Sequence, residues 1–457
     1  MKKKVTKNMK RFWGVAEIGE GFFSSVAGLY FTFYLTDVAQ LPLAYVSFIM
    51  MFTSVADFII SPLSGGFIEG MKPMKWGKLR SWLLILPPIV AVTNALKFVN
   101  VGSALTATVV IILAYMINTI GFNTMVAANY ALVPSMCAYE DERSHLSSNR
   151  MTGSNIGRLV MGYVAPLAMV PLLASTGNAA YAIMAFVSAG LMMFGYFAHF
   201  ALSKGYEGNG AVTDTKEETL SIKDMFKAIF SNPQIIPLMI SDMTSTLGSF
   251  LLPSLIMYMY TYVIGDIALV AYHNLITGIG GMIGAYASRF FMNKFDDRRK
   301  VCLTIYPCIA LCVFCTRFVV DYAWIFMAVC GVLQFLIGIT QPVESTLYYD
   351  VAVYSEWKTG KDSTALIIGL TNLPIKLAGI VKSAVLSVLL AAVGYDAALG
   401  ATPQLRAGLI NAFSLVNCVI PLMGFLALKF LYKLTPEVMR KCREDIKLRK
   451  EAEASEN

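Results

Sequence analysis

Three acidic residues interrupt apolar runs near the beginning of the chain. Asp57 lies in the middle of the apolar stretch 44–68, and Glu17 and Glu20 stand three residues apart in the stretch 12–36. A spacing of three places the two glutamates on one face of a helix. An acid in a low-dielectric environment binds a proton or a cation and releases it when water enters. The pattern therefore predicts that Asp57, and after it Glu17, takes part in ion binding.

Four further ionisable residues fall inside apolar runs, namely Arg158, Asp242, Lys376 and Lys382. A charge at the centre of a membrane helix costs about 2.5–3.5 kcal/mol, so each one requires a partner, a water-filled cavity or a function. We interpret Lys376 as functional, whereas Lys382 is expected to pair locally or to extend towards the membrane surface. The alternative, in which Glu17, Asp57 and Lys376 form structural ion pairs between helices, remains open.

The composition of the whole chain is typical of a membrane protein. Of its 457 residues, 56% are hydrophobic and 14% are charged, against about 25% charged in an ordinary soluble domain. A helix needs about 20 apolar residues to cross the hydrocarbon. We expect twelve such spans, near 12–36, 44–68, 82–100, 103–135, 151–173, 178–202, 233–262, 266–290, 301–320, 322–346, 363–394 and 407–432. The predicted fold class is an all-α integral membrane protein with twelve transmembrane helices arranged as six plus six.

A polar segment divides the two groups of spans. Its Gly, Thr and charge content predicts a solvated linker, and the stretch "SIKDMFKAIF" predicts a short amphipathic helix at the membrane surface. The expected domains are an N-terminal six-helix bundle, a cytoplasmic linker, a C-terminal six-helix bundle and a basic cytoplasmic tail, covering 1–202, 203–232, 233–432 and 433–457.

The distribution of Lys and Arg predicts the orientation. Basic clusters occur at the N-terminus, in the loops after the second and eighth spans, and in the C-terminal tail, while the opposite loops hold little beyond Lys97 and Arg406. Cytoplasmic loops carry the excess of positive charge, so both termini are expected in the cytoplasm and the protein in the cell inner (plasma) membrane. Membrane lipid, and not nucleic acid, is the partner that such clusters predict. The cluster "KPMKWGKLR" is interpreted as a topological anchor and a clamp between helices.

The sequence does not favour enzymatic chemistry. It contains only three histidines, no nucleophile–base pair and no glycine-rich phosphate loop. Cys312 and Cys315 lie in an apolar run without a second Cys pair, which favours packing over metal binding or redox chemistry. We therefore expect no cofactor apart from a coupling ion, H⁺ or Na⁺.

Two aromatic residues could stack on the apolar face of a sugar. Tyr130 lies in "NYALVP" and Trp357 in "YSEWKTGK". An aromatic ring inside a helical bundle more often serves only packing, and this alternative remains open.

Five segments together resemble those of a known family, namely "FYLTDV" (33–38), "SVADFIISPLSGG" (54–66), "KWGKLRSW" (75–82), "ALVPSMCAYEDERSHLSSNR" (131–150) and "DVAVYSEWKTGK" (350–361). The family is the glycoside–pentoside–hexuronide:cation symporters, relatives of melibiose permease in the major facilitator superfamily. The resemblance covers almost the whole chain. It implies two six-helix bundles that rock around a central cavity, and uptake of a sugar, glycoside or uronide driven by H⁺, Na⁺ or a similar ion. A monomer is expected, as is usual in the family.

The resemblance also implies roles for single residues. The second-span acid that helps to bind the coupling cation falls on Asp57, and the first-span acid falls on Glu17. The residues that would contact substrate, by this resemblance or by their place beside it, are Glu20, Tyr130, Arg150, Trp357, Lys376 and Asn372, the last of which begins the segment "NLPIKLAG".

The sequence departs from the family pattern at several acidic positions. Ser61 stands where many symporters have a second Asp, Val126 replaces a fourth-span Asp, and Gly21 replaces a first-span Asp. A multi-carboxylate Na⁺ site is therefore mostly missing. Asp57 could still hold a metal cation such as Na⁺ weakly with the oxygens of Ser61 and Asn123. We favour H⁺ coupling through Asp57 or Glu17, while Na⁺ coupling and facilitated transport remain open.

Two other function classes compete with a sugar symporter. One branch of the wider family moves lysolipids, so a carrier of lipids or other amphiphiles is an alternative. The lost carboxylates also leave open a transport-inactive sensor.

Overall fold

The computed structural model describes residues 4–208, 232–360, 364–395 and 400–456, and within these ranges the chain is helical with no β-strand. The α-helices are α1 (Lys7–Phe12), α2 (Val15–Phe33), α3 (Leu43–Gly70), α4 (Trp82–Leu96), α5 (Ala104–Met136), α6 (Glu140–Thr176), α7 (Ala179–Leu202), α8 (Ile235–Tyr258), α9 (Leu269–Lys294), α10 (Arg298–Val319), α11 (Ala323–Thr359), α12 (Thr364–Gly369), α13 (Asn372–Ala392), α14 (Pro403–Asn411), α15 (Asn417–Leu426) and α16 (Pro436–Glu456). Short π-helical turns continue α2, α8, α14 and α15. The amphipathic segment "SIKDMFKAIF" and most of the expected linker lie outside the described residues.

Nine helices of the described chain are long and apolar enough to cross a membrane, and α4 is a shorter apolar helix. The nine correspond to α3, α5, α6, α7, α8, α10, α11, the segment formed by α12 and α13, and the segment formed by α14 and α15. Three expected spans are not among them, and they coincide with α2, α4 and α9. In α2 the reason is visible in the sequence, because Glu17 and Glu20 interrupt an already short helix of 19 residues. The described part of the chain is thus helical throughout its regular elements, with helices of the length and apolarity that membrane crossing requires.

The described residues cluster into two compact units. The first takes those of Met1–Lys216, Ile256–Leu275 and Ser383–Thr402, and the second takes those of Glu217–Leu255, Ile276–Lys382 and Pro403–Asn457. Both units therefore draw on separate stretches of the sequence.

Glycines set the closest helix packing in the first unit. A Cβ at Gly21 of α2 would lie 2.6 Å from the backbone nitrogen of Arg158, and one at Gly157 of α6 would lie 2.1 Å from the carbonyl oxygen of Ile18. A Cβ at Gly19 would lie 2.4 Å from the Cα of Met192 in α7. Distances this short leave no room for a side chain. α2 is therefore held against both α6 and α7 with backbones in contact, which fixes the direction of its acidic residues.

Glycines also allow close backbone packing between α9 and α11. A Cβ at Gly280 would lie 2.4 Å from the carbonyl oxygen of Gly331, and one at Gly284 would lie 2.0 Å from that of Phe335. Small residues at such crossings are the usual means of packing helices in a membrane, where lipid is as apolar as the side chains.

α6 begins earlier than the sequence pattern indicates. The expected span starts at residue 151, whereas the helix starts at Glu140 and incorporates the "ERSHLSSNR" motif. Three acids, Glu140, Asp141 and Glu142, occupy the first turn, where negative charge is stabilised by the helix dipole. As a result Arg150 projects from a regular helix and not from a loop.

The basic loop between α3 and α4 forms the expected clamp through Arg80. Its guanidinium donates to the carbonyl oxygen of Phe200 at 2.7 Å and to Ser203 Oγ at 3.0 Å, both at the end of α7. Glu207 accepts from the backbone N–H groups of Leu79 at 2.8 Å and Arg80 at 3.4 Å. Burial lowers the pKa of Arg80 from its ordinary value, and the charge of Glu207 opposes that shift. The loop thereby ties α4 to α7.

Candidate polar site

The first unit contains a buried ion pair between Glu17 and Arg150. Arg150 Nε lies 2.5 Å from Glu17 Oε1, and the side chains are 11% and 2% exposed respectively. Asn129 Nδ2 donates to the same carboxylate oxygen at 2.8 Å. Because the backbone contacts of α2 with α6 hold both residues in place, one predicted ion-binding acid and one predicted substrate residue lie in direct contact.

A buried histidine, missed as a candidate by the sequence analysis, lies behind this pair. His199 Nδ1 is 2.9 Å from Asn129 Oδ1, and its ring stacks on Trp13 with centroids 4.1 Å apart. His199 Nε2 is 3.8 Å from Glu17 Oε2, and neither atom makes a hydrogen bond to any residue that the structure describes. Asn129 thus links Glu17 to His199 and orients both.

Tyr130 packs against the cation of this ion pair. The guanidinium carbon of Arg150 is 3.5 Å from the centre of the Tyr130 ring, which places cation and ring in direct stacking contact. Tyr130 is nevertheless 53% exposed. One face of the ring is therefore covered by Arg150 and a large part of the side chain remains accessible.

Glu20 lies one helical turn after Glu17 and is also buried. Its Oε1 accepts a hydrogen bond from the hydroxyl of Tyr196 in α7. The position beside it, Gly21, lies at the tight crossing of α2 with α6. An Asp at residue 21, as in the melibiose branch that this sequence resembles, has no space in this packing.

Asp57 is half-buried on α3, and Asn123 Nδ2 of α5 donates to its Oδ1 at 2.8 Å. Ser61 is also half-buried and stands four residues later, on the same face of α3. Of the four residues predicted to bind the cation, Asp57 and Ser61 thus lie on adjacent turns and Asn123 is hydrogen-bonded to Asp57, whereas Glu17 is paired with Arg150. Among the described residues no group of three or more His, Cys, Asp or Glu side chains could hold a metal ion.

The predicted substrate residues of the second unit occupy two regions. Asn372 begins α13 and is exposed, and Lys376 follows one turn later and is half-buried. Trp357 lies in the last turn of α11, where its Nε1 donates to Asp445 Oδ2 of the tail helix α16 at 2.8 Å. Its indole also packs on Tyr354, with ring centroids 5.7 Å apart. The contacts of Trp357 are therefore those of a residue that docks the tail.

Three charged residues matter in the structure although the sequence analysis gave them no role. Lys97, interpreted as a loop residue, is only 4% exposed, and its Nζ donates to Asn118 Oδ1 at 3.1 Å. Asp37 accepts hydrogen bonds from Tyr262 and from Thr36. Glu344 in α11 is only 2% exposed. The signal for Glu344 was present, because it interrupts the predicted span 322–346 as Asp57 interrupts its own.

Comparison with known proteins assigns the fold and the family. Residues 12–436 match the profile of a family described as "MFS/sugar transport protein". An uncharacterised symporter, YjmB of Bacillus subtilis, is 23% identical over 97% of this chain and 96% of its own length. A lactose permease of Lactobacillus helveticus is 22% identical over 89% of this chain and 66% of its own length.

Among solved structures, a D-xylose–proton symporter superposes with a TM-score of 0.65 at 15% identity, over 95% of this chain and 99% of that one. This likeness establishes the fold, and the family profile covers most of the sequence. The members of the matched family are transporters and not enzymes. The chain belongs to this MFS sugar transport family and is similar to its glycoside–pentoside–hexuronide symporters.

Proposed function

We propose that the protein imports a sugar, glycoside or uronide together with a proton, and that Asp57 is the acid that carries the coupling proton. The observation that supports this most directly is the half-buried Asp57 with the amide of Asn123 at 2.8 Å. The amide of Asn123 holds the carboxylate in place. A partly accessible acid can therefore bind a proton from one side of the membrane and release it on the other.

The contacts of Glu17 make it the weaker candidate for this role. Its Oε1 is shared by Arg150 and Asn129, so its charge is compensated inside the protein. Neutralising Glu17 would leave the buried guanidinium without a counter-charge, which costs several kcal/mol. We assign Glu17 the role of fixing Arg150, and Ser61 and Asn123 the role of supporting Asp57, whether the ion is H⁺ or Na⁺.

The substrate surface that we propose is built around Tyr130, Arg150 and Glu20. The accessible part of the Tyr130 ring would stack on the apolar face of a sugar, as aromatic rings do on such surfaces. Arg150 fixes that ring from its other face, 3.5 Å away. Arg150 and Glu20 would supply a charged donor and an acceptor for hydroxyl or carboxylate groups, and Lys376 and Asn372 are proposed as polar contacts from the second unit.

The topology that accompanies this function is also proposed. It comprises twelve spans in two six-helix bundles over 1–202 and 233–432, a cytoplasmic linker over 203–232, and both termini in the cytoplasm. The protein would act as a monomer in the cell inner (plasma) membrane. The distribution of Lys and Arg supports this orientation, and the relatives named above support sugar as the substrate class.

Uptake of a panel of labelled sugars, glycosides and uronides tests the proposal. Cells that produce the protein should accumulate at least one of them, a protonophore should abolish the accumulation, and replacement of Na⁺ should leave it unchanged. Cells that produce no transporter give the baseline. If removal of Na⁺ alone abolished accumulation, the proposal that H⁺ is the coupling ion would be wrong. If no sugar is taken up while a lysolipid raises the melting temperature of the purified protein, the amphiphile carrier replaces this proposal.

A further inference from the structure

The second unit contains a buried acid in a cage of hydroxyl groups. Glu344 lies in α11 and is 2% exposed. Its Oε1 accepts a hydrogen bond from Ser241 Oγ of α8 at 2.8 Å and another from the hydroxyl of Tyr306 in α10. The two hydroxyl oxygens are themselves 2.8 Å apart. Three helices thus converge on one oxygen of this carboxyl group.

The other oxygen of Glu344, Oε2, is buried and has no hydrogen-bond partner in the described part of the chain. No Lys, Arg or His among the described residues forms an ion pair with Glu344. Two other glutamates, Glu17 and Glu142, are equally buried at 2% exposure, and each has a cation, Arg150 at 2.5 Å and Lys10 at 3.5 Å. Glu344 therefore differs from acids of the same burial in lacking a compensating charge.

A second acid stands beside this cage. Asp242 follows Ser241 on α8 and accepts hydrogen bonds from Tyr348 at 2.9 Å and from Thr246 at 3.4 Å. It is placed beside Glu344 by two contacts: its neighbour Ser241 bonds Glu344, and its own partner Tyr348 stands one turn after Glu344 on α11. Unlike Glu344, Asp242 is half-buried.

Among the residues that the structure describes, the groups that face Glu344 carry no positive charge. They are Ser241, Ser245 and Asp242 from α8, Cys302 and Tyr306 from α10, and Tyr348 from α11 itself. A bare carboxylate in such surroundings is costly, and a neighbouring negative charge raises the cost further. Binding one proton removes the charge of Glu344 and leaves only a neutral oxygen atom unpaired.

We propose that Glu344 and Asp242 form a proton-binding site within the second unit, in which Glu344 holds the proton and the more accessible Asp242 exchanges it with water. The site is separate from Asp57, and it involves no metal. In the proposed symporter it would add a second protonatable acid to the transport cycle. That last role rests on the proposed function, whereas proton binding at Glu344 does not.

Infrared spectroscopy of the purified protein tests the site without any sugar. A protonated carboxyl group gives a C=O stretching band that a carboxylate lacks and that shifts in D₂O. We expect such a band at neutral pH in the difference spectrum of wild type minus Glu344→Gln, and none in that of wild type minus Glu142→Gln, the equally buried acid that is paired with Lys10. The difference spectrum separates Glu344 from Glu20, which is also buried. Absence of the band from the Glu344 difference spectrum would overturn the inference.

Two further variants keep the test decisive if Glu344→Gln fails to fold. Tyr306→Phe removes one hydrogen bond to the carboxyl group, so the band should remain and move to higher frequency. Asp242→Asn removes the adjacent negative charge, so the band should disappear at a lower pH than in the wild type. An unmoved band in both variants would contradict the site. A protein that transports no sugar would still show these bands, so failure of the proposed function is distinguishable from failure of this inference.

Discussion

Arg150 Nε lies 2.5 Å from Glu17 Oε1, and the Arg150 guanidinium also stacks 3.5 Å from the centre of the Tyr130 ring. One cation thus neutralises a buried acid and supports an exposed aromatic ring. The contact joins α2 to α6 across 133 residues of sequence. The same Arg150 side chain therefore contributes to the stability of the first unit and to the position of the Tyr130 ring.

Breaking this ion pair should strongly destabilise the protein. Removal of one partner from a buried pair leaves an uncompensated charge and costs about 3–5 kcal/mol. We expect Arg150→Gln and Glu17→Gln each to lower the melting temperature in detergent. The double variant should lose much less than the sum of the two, because neither charge is then left alone. Strictly additive losses would show that the two side chains do not interact.

Replacing Asp57 should uncouple transport. In Asp57→Asn the amide of Asn123 loses its charged acceptor and no proton can be carried, so accumulation of the sugar should cease while exchange of internal for external sugar continues. Both are measured in proteoliposomes with an imposed pH gradient. Ser64→Ala, seven residues later on the same helix, is the matched control and should retain accumulation, because the Ser64 hydroxyl donates to the carbonyl oxygen of Ile60 within α3. Gradient-driven uptake by Asp57→Asn at the wild-type level would exclude Asp57 from coupling.

Two glycines of α2 should respond oppositely to the same substitution. A Cβ at Gly21 would lie 2.6 Å from the backbone nitrogen of Arg158, whereas one at Gly28 would meet nothing within 4 Å. Gly21→Ala should cost about 1–3 kcal/mol or more, since backbone cannot move aside as a flexible side chain can. Gly28→Ala should be neutral or stabilise by up to about 1 kcal/mol. Yields and melting temperatures of the two variants, measured side by side, check this; equal effects would contradict the close crossing of α2 and α6.

The docking of α16 should be visible in the reactivity of Cys442. Burial raises the pKa of this thiol, and the charge of Asp445 raises it further. Because the thiolate is the reactive form, labelling by maleimide at neutral pH should be slow and should accelerate with rising pH. The measurement requires a variant in which Cys442 is the only cysteine.

Two substitutions separate docking from charge in that experiment. Trp357→Phe removes the hydrogen bond to Asp445 Oδ2 and leaves the acid in place, so any faster labelling reports release of the helix. Asp445→Asn also lowers the thiol pKa and should accelerate labelling more. If Trp357→Phe labels at the wild-type rate, Trp357 does not hold the tail.

The helical architecture with apolar spans, the family and the acids that interrupt the spans can all be predicted from the amino-acid sequence. These follow from composition, segment length and local motifs, which depend on neighbouring residues only. The apolar pattern alone predicts that α6 begins at residue 151, because the polar motif "ERSHLSSNR" precedes that position. The helix begins at Glu140, where the acids of the first turn stabilise it.

The tertiary structure alone decided which buried charges have partners. Glu17 and Glu344 look alike in sequence, yet Glu17 meets Arg150, whereas Glu344 meets Ser241, 103 residues away, and no cation among the described residues. Such pairings depend on where helices touch, and at α2 and α6 that place is set by glycines whose lack of a side chain lets two backbones meet. The free energy of a buried charge depends on the groups within a few ångströms of it, and only the packing of distant helices determines what those groups are.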